Sequence, residues 1–96
     1  MESGVDTSGR VLRKNTQVVM REEFDDWALL FDPDTGKVCG VNPVGVQVWK
    51  LIDGLRTEAD ISRLIREQYP DAPASVDEDV TAFVNEIAEK GYATVL

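Results

Sequence analysis

The 96-residue sequence predicts a single α+β domain in which a three-stranded antiparallel sheet precedes three helices. Apolar residues recur at every second position before Asn42-Pro43 and at three- and four-residue spacing after it, which are the periods of strands and helices. The length and an apolar content of 43% are typical of one globular domain with one core. We expect residues 1–10, which are polar and aperiodic, to form a flexible tail and residues 11–96 to form the domain.

Three short segments carry the strand pattern. Residues 16–23 place Val18 and Met20 on one side, as in a partly exposed strand. Residues 26–32 are apolar on both faces, which indicates the central strand of the sheet. The sequence DPDTG that closes this segment predicts a tight turn into a third strand, Lys37–Val41. The third strand is therefore expected at an edge of the sheet.

Asn42-Pro43 marks the change from strand to helix, because proline lacks an amide donor and fits the first turn of a helix. The first helix carries an apolar stripe that begins at Val44, and it is expected to end at Asp53-Gly54, where glycine accepts a left-handed conformation. Thr57 with Asp60 has the pattern of a capping box and predicts the start of the second helix, although aspartate is shorter than the glutamate that this motif prefers.

The third helix has the strongest helical signal. Ser75 with Glu78 predicts a better capping box at its start, and Lys90-Gly91 predicts its end. Its apolar stripe consists of Val76, Val80, Phe83, Val84 and Ile87. The last five residues, YATVL, fit either a short strand or core packing. This order of elements has the outline of a winged helix-turn-helix whose small sheet lies at the N-terminus.

The charge of the chain bears on its partners. A formal net charge of −8, from 18 carboxylates against 10 Lys and Arg, repels nucleic acids and anionic lipids. A winged-helix DNA-binding regulator is the alternative that the fold class raises, with the third helix in the major groove. That helix carries Asp77, Glu78, Asp79, Glu86 and Glu89 against Lys90 alone. We therefore expect neither a nucleic-acid partner nor a membrane partner.

No residues are combined in a way that predicts catalysis. Cys39 is the only cysteine, and the chain has no histidine to activate it and no further soft ligands for a metal. Paired carboxylates occur in turns and first helical turns, where they are locally favoured, and no glycine-rich phosphate loop indicates a cofactor. The chain has no secretory signal and no apolar run near the roughly 20 residues that span a bilayer. We expect a cytoplasmic protein that is not an enzyme.

An edge strand beside a long amphipathic helix predicts a groove to which an extended peptide could add as a strand. Four segments match a known family in order and spacing: LLFDPDTGKVCGVN, NPVGVQVWKLIDG, RTEADISRLI and DVTAFVNEIAEKGY. On these segments the chain, over residues 12–95, resembles the PqqD family of peptide chaperones, also called recognition elements for ribosomally synthesised, modified peptides. The family usually has leucine where this chain has Val41.

The resemblance implies a non-catalytic module without a cofactor. It would bind the leader segment of a ribosomally made precursor peptide and present it to a modifying enzyme, either a radical S-adenosylmethionine maturase or a leader peptidase. The leader would add beside the third strand and pack against the third helix. Carried over by position, the peptide-binding residues are Lys37, Val38, Cys39, Gly40, Val41, Asp79, Val80, Phe83, Val84 and Ile87. Which way the Cys39 side chain faces stays open, since the strand register is not fixed by one sequence.

Overall fold

The computed structural model describes residues 9–96. Its elements are β1 (Leu12–Lys14), β2 (Val19–Glu22), β3 (Ala28–Asp32), β4 (Lys37–Val41), α1 (Pro43–Leu51), α2 (Glu58–Gln68), α3 (Val76–Glu89) and β5 (Ala93–Val95). The predicted α+β order, a three-stranded antiparallel sheet followed by three helices, is confirmed. Most of the predicted N-terminal tail, residues 1–8, lies outside the described residues, so the tail stays a prediction.

The larger sheet has the strand order β2–β3–β4, with β3 in the centre as expected. Leu30 lies in the middle of β3, opposite Cys39 of β4, and it is fully buried against the helices. The other face of β3 is apolar, as the sequence indicated, but it is not covered. Phe31 is 41% exposed and pairs with Val38, which is 57% exposed. Side chains alternate across a strand, so only one face of this sheet packs on the core.

A second, two-stranded sheet was not predicted. β1 pairs antiparallel with β5 and so joins the two ends of the domain. The short strand that the sequence allowed at the C-terminus is therefore formed, and Tyr92 and Ala93 are also buried in the core. Both interpretations of the last five residues apply.

The junction between β4 and α1 forms as the sequence predicts. Asn42 is the N-cap residue of α1, and its side-chain Oδ1 accepts a hydrogen bond from the Gly45 amide at 2.8 Å. Gly45 is buried on the side of α1 that packs against Phe83 of α3. A Cβ atom at this position would lie 2.6 Å from Cγ1 of Val41 and 3.0 Å from the ring of Phe83. Glycine is therefore required here by packing.

The two predicted capping boxes have opposite outcomes. The Thr57 hydroxyl accepts a hydrogen bond from the Asp60 amide at 3.1 Å, and the Asp60 carboxylate accepts one from the Thr57 amide at 3.0 Å. The box predicted at Ser75 and Glu78 is wrong, because the Ser75 side chain makes no capping hydrogen bond. Ser75 has φ −76° and ψ 1°, whereas an N-cap side chain reaches the first turn from an extended backbone. The backbone conformation of Ser75 therefore prevents the capping box, although its sequence motif is better than the one at Thr57 and Asp60.

The core lies between the covered face of the sheet and the three helices. Its fully buried members come mainly from α3 and from the strands and helices that α3 touches. At one end of the core, the buried carboxylate of Glu58 accepts hydrogen bonds from Nη2 of Arg10 at 2.7 Å and from the Thr81 hydroxyl at 2.6 Å. These contacts attach residue 10 to α2 and α3. Within the described residues, no helix has the length and apolar character needed to cross a membrane.

Candidate functional site

β4 lies at an edge of the larger sheet. It pairs with β3 on one side, and no other strand of residues 9–96 pairs with its second side. The backbone amides and carbonyls of an open edge can form hydrogen bonds with a further strand. The edge position predicted for residues 37–41 is therefore confirmed.

A pocket with a volume of about 230 Å³ lies between this edge and α3. Its walls come from β4, from the adjacent N-cap residue, from the residue that precedes β3, and from one side of α3. They are lined by Trp27, Gly40, Val41, Asn42, Asp79, Ala82, Phe83 and Glu86. We call this pocket, together with the open edge of β4, the edge groove.

The residues of β4 alternate between the two faces of the sheet. Cys39 and Val41 are buried and point toward the helices, whereas Val38 and Gly40 are exposed on the uncovered face. The structure thus answers the question of the Cys39 side chain, which faces the core. Among the predicted β4 residues, Gly40 and Val41 line the pocket and Lys37 is exposed at the start of the strand.

The α3 residues predicted to bind peptide separate into two groups. Asp79 and Phe83 line the pocket. Val80, Val84 and Ile87 do not line it, because each is fully buried in the core. The apolar stripe of an amphipathic helix faces the core, and the pocket uses the neighbouring stripe, one residue earlier along the helix.

The residues of the pocket that the sequence did not identify are Trp27, Asn42, Ala82 and Glu86. Ala82 and Glu86 follow Asp79 at helical spacing, so the period of α3 could have indicated them once one member of the stripe was known. Trp27 belongs to the segment predicted as the central strand, residues 26–32, but it precedes β3 and is half exposed at the edge of the pocket. No local pattern indicates that it approaches α3.

A cluster of three polar groups lies at the Cys39 end of the groove. Lys90 Nζ donates hydrogen bonds to Oε2 of Glu86 at 3.0 Å and to Sγ of Cys39 at 3.4 Å. The Glu86 carboxylate, followed by Cys39, raises the pKa of Lys90 above its ordinary value of 10.5. Lys90 is therefore charged at neutral pH, and it neutralises the carboxylate at this end of the groove.

The other end of the groove keeps a net negative charge. Asp79 lines the pocket near Asn42 and makes no ion pair with any side chain of residues 9–96. The groove is thus apolar at its floor, where Phe83 is only 8% exposed, and it is asymmetric in charge along its length. Residues 9–96 contain no group of three or more Cys, Asp or Glu side chains placed to share a metal ion.

Residues 28–93 match the family model of the coenzyme PQQ synthesis protein D, PqqD. A PqqA binding protein from Rhodopseudomonas palustris (strain TIE-1) is 28% identical over 89 residues, which cover 93% of this chain and 84% of that protein.

Two solved structures have the same fold, each with a TM-score of 0.67. TbiB1 in complex with the TbiA(beta) leader peptide is 24% identical, and the match covers 85% of this chain and 94% of that one. Lasso peptide synthetase B1 complexed with its leader peptide is 18% identical, and the match covers 85% of this chain and 95% of that one. The family match spans β3 to β5 and contains nearly all of the edge groove, and on that match the chain belongs to the PqqD family.

Proposed function

We propose that this protein binds the leader segment of a ribosomally made precursor peptide as an added strand on β4 and presents it to a modifying enzyme. The observation that carries the proposal is the position of the pocket directly beside the unpaired edge of β4. An added strand satisfies its backbone on β4 and turns every second side chain toward α3. Membership of the PqqD family, and leader peptides bound to two proteins of the same fold, support this proposal.

The residues that we propose for peptide binding are a revised set. Backbone contacts come from Lys37–Val41, and side-chain contacts come from Asp79, Ala82 and Phe83 with Trp27. Val80, Val84 and Ile87 support the groove from within the core. The affinity comes from backbone hydrogen bonds along the edge and from apolar burial in the pocket.

We propose that the protein itself is not a catalyst. The chain has no histidine, and Cys39 is buried on the core side of β4, where its neighbours are Lys90 and Glu86. A nucleophile needs access to a substrate as well as a base. The chemistry would belong to the partner enzyme, a radical S-adenosylmethionine maturase or a leader peptidase, acting in the cytoplasm where precursor peptides are made.

The alternative of a DNA-binding regulator has no support from the comparisons. The exposed side of α3 carries Asp77, Glu78 and Glu89, which oppose the phosphate backbone. A gel-shift titration with genomic DNA at low salt tests it directly. We expect no retardation.

An NMR titration tests the proposed function. The isotope-labelled protein is mixed with a synthetic leader from a short open reading frame beside the gene, and with the PqqA peptide and the TbiA(beta) leader as further probes. We expect the amide resonances of Lys37–Val41 and of the pocket side of α3 to shift together. Shifts confined to α2, or to the uncovered face around Phe31, would contradict the groove.

A second experiment tests strand addition separately from side-chain binding. The bound leader is resynthesised with a single N-methyl group at each position in turn. Alternate amides of an added strand point toward its neighbour, so binding should fail at every second position and survive between them. Uniform tolerance of N-methylation would contradict strand addition, whatever the affinity of the parent peptide.

A further inference from the structure

The charge asymmetry of the edge groove has a consequence for the peptide that it selects. At the Cys39 end, Glu86 is paired with Lys90 at 3.0 Å, and Lys37 adds a further positive charge at the start of β4. At the Asn42 end, Asp79 lines the pocket without an ion pair among residues 9–96. Of the two carboxylates that line the pocket, Glu86 thus has a basic partner and Asp79 has none among residues 9–96.

We infer that the groove selects leader segments with a basic side chain two residues away from an apolar one, the apolar side chain packing on Phe83 and the basic one pairing with Asp79. This inference rests on the proposed function. It adds a sequence rule for the leader and names Asp79 as the residue that determines the choice of charge.

The spacing follows from the two backbones. Asp79 and Phe83 are four residues apart on α3, which is about 6 Å along the helix axis at 1.5 Å per residue. Side chains on the same side of an extended peptide repeat every two residues, which is about 6.7 Å. Cys39 contacts Glu86 and Lys90, and Val41 lies with Phe83 beside Gly45, so β4 runs along this side of α3. A strand added to β4 would then place the neighbour of an apolar side chain over Phe83 beside Asp79. A spacing of four residues, about 13 Å, would pass beyond the first turn of α3.

The chemistry of the pocket fits a lysine or arginine at that position. Long basic side chains pack their methylene groups on apolar surface and keep the charged end in water. Trp27 and Ala82 provide that surface beside Asp79. Asp79 is itself half-buried, so the ion pair is partly protected from solvent screening.

A peptide-display selection tests this inference and does not require the natural leader. A library of short random peptides is selected on the full chain, and bound peptides are sequenced. We expect lysine or arginine to be enriched two positions from an aliphatic or aromatic residue. We expect aspartate and glutamate to be depleted at the same position.

A double-mutant cycle then assigns the preference to Asp79. One selected peptide, and its copy with the basic residue replaced by glutamine, are titrated against the parent protein, Asp79→Asn and Glu78→Gln. Both protein variants remove one charge from the first turn of α3, but only Asp79 lines the pocket. The glutamine peptide should bind about two- to fivefold more weakly to the parent and to Glu78→Gln, and the difference should vanish on Asp79→Asn.

The outcomes separate the inference from the proposed function. The inference would be overturned, and the proposed function would stand, if the selected peptides shift the amides of β4 and α3 but show no preference for a basic residue. The same conclusion would follow if that preference survives in Asp79→Asn. A selection that yields no peptide bound at β4 and α3 would overturn both. Raising the salt concentration should reduce the parent's preference for the basic peptide, and a preference unchanged by salt would also contradict an ion pair.

Discussion

Replacing Gly45 with alanine tests whether the close contact between α1 and α3 forms the floor of the groove. The added Cβ would lie 2.6 Å from Cγ1 of Val41 and 3.0 Å from two ring carbons of Phe83. Both neighbours are buried, with Val41 only 1% exposed, so neither can shift without repacking the core or narrowing the pocket that both line. One of them, or α1 itself, must therefore shift.

The sign of the stability change follows from two opposing terms. Alanine is favoured over glycine inside a helix by about 0.5–1 kcal/mol. Overpacking a close contact costs about 1–3 kcal/mol. The contact at 2.6 Å is shorter than real Cβ atoms show, which places the cost in the upper part of that range. We expect Gly45→Ala to lower the free energy of unfolding by about 1–2 kcal/mol.

Urea denaturation measures this change, and Gly40→Ala is the matched control. A Cβ at Gly40 meets nothing within 4 Å, so the same chemical change should be neutral or slightly stabilising there. Peptide affinity should also fall for Gly45→Ala, because Val41 and Phe83 line the pocket. A Gly45→Ala protein as stable as the parent, with unchanged peptide affinity, would refute the packing argument.

Four further predictions concern other parts of the domain. Val84→Asp should lower the free energy of unfolding by at least about 3 kcal/mol in thermal or urea unfolding, since it buries a carboxylate at a fully buried core position. An unchanged melting temperature would contradict the placement of Val84 in the core. Cys39→Ala should retain peptide binding in a titration at a stability cost of about 1 kcal/mol, whereas Cys39→Pro should abolish binding by disrupting the ladder of β4. Arg10→Ala should lower the free energy of unfolding in urea by about 1–3 kcal/mol, because it removes the guanidinium that contacts the buried carboxylate of Glu58. An unchanged free energy of unfolding would show that residue 10 is not attached to the domain. The hydrogen bond from the Thr57 amide lowers the pKa of Asp60 from its ordinary value of 3.8, so the ionised carboxylate stabilises the fold above that pH, and this stabilisation is lost as the pH falls through the lower pKa of the folded state. Melting temperatures measured between about pH 5 and pH 2 should show the loss, and the loss should be smaller for Asp60→Asn.

The parts of the fold that the sequence predicts correctly are those that local chemistry determines. The DPDTG turn joins two adjacent strands, and the Asn42-Pro43 junction both ends β4 and caps α1. Gly91, directly after the C-cap residue Lys90 of α3, has a φ of +78°, as expected for a glycine that ends a helix, whereas α1 ends at Leu51 and not at the predicted Asp53-Gly54, because the extended backbone of Ile52 terminates it. In each case a few neighbouring residues contain the whole reason for the structure. The order of strands and helices follows from them.

The parts that were missed depend on residues far apart in the chain. β1 pairs with β5 across nearly the whole domain, and Leu12 is the only apolar residue of β1, so no local period indicates a strand there. The partly buried ion pair of Arg10 with Glu58 likewise joins residues 48 positions apart. The failed capping box has another cause, since Ser75 lies in a local turn closed by a hydrogen bond from the Val76 amide to the Pro73 carbonyl at 3.1 Å, which gives it φ −76° and ψ 1°.

The candidate site shows why apolar periodicity locates a groove only indirectly. Val80, Val84 and Ile87 form the stripe that the period reveals, and they hold α3 in the core. Asp79 and Phe83 each lie one residue before a member of that stripe, about 100° around the helix, and they face the open edge of β4. In the proposed function, one helix therefore carries stability and recognition on adjacent stripes. Substitutions on the recognition stripe can change which peptide binds at small cost to the fold, except at Phe83, which is buried in the core and also lines the pocket. Under the proposed function, peptide specificity of this chain should therefore change most easily by substitution at the polar positions of this stripe, of which Asp79 is the unpaired one among residues 9–96.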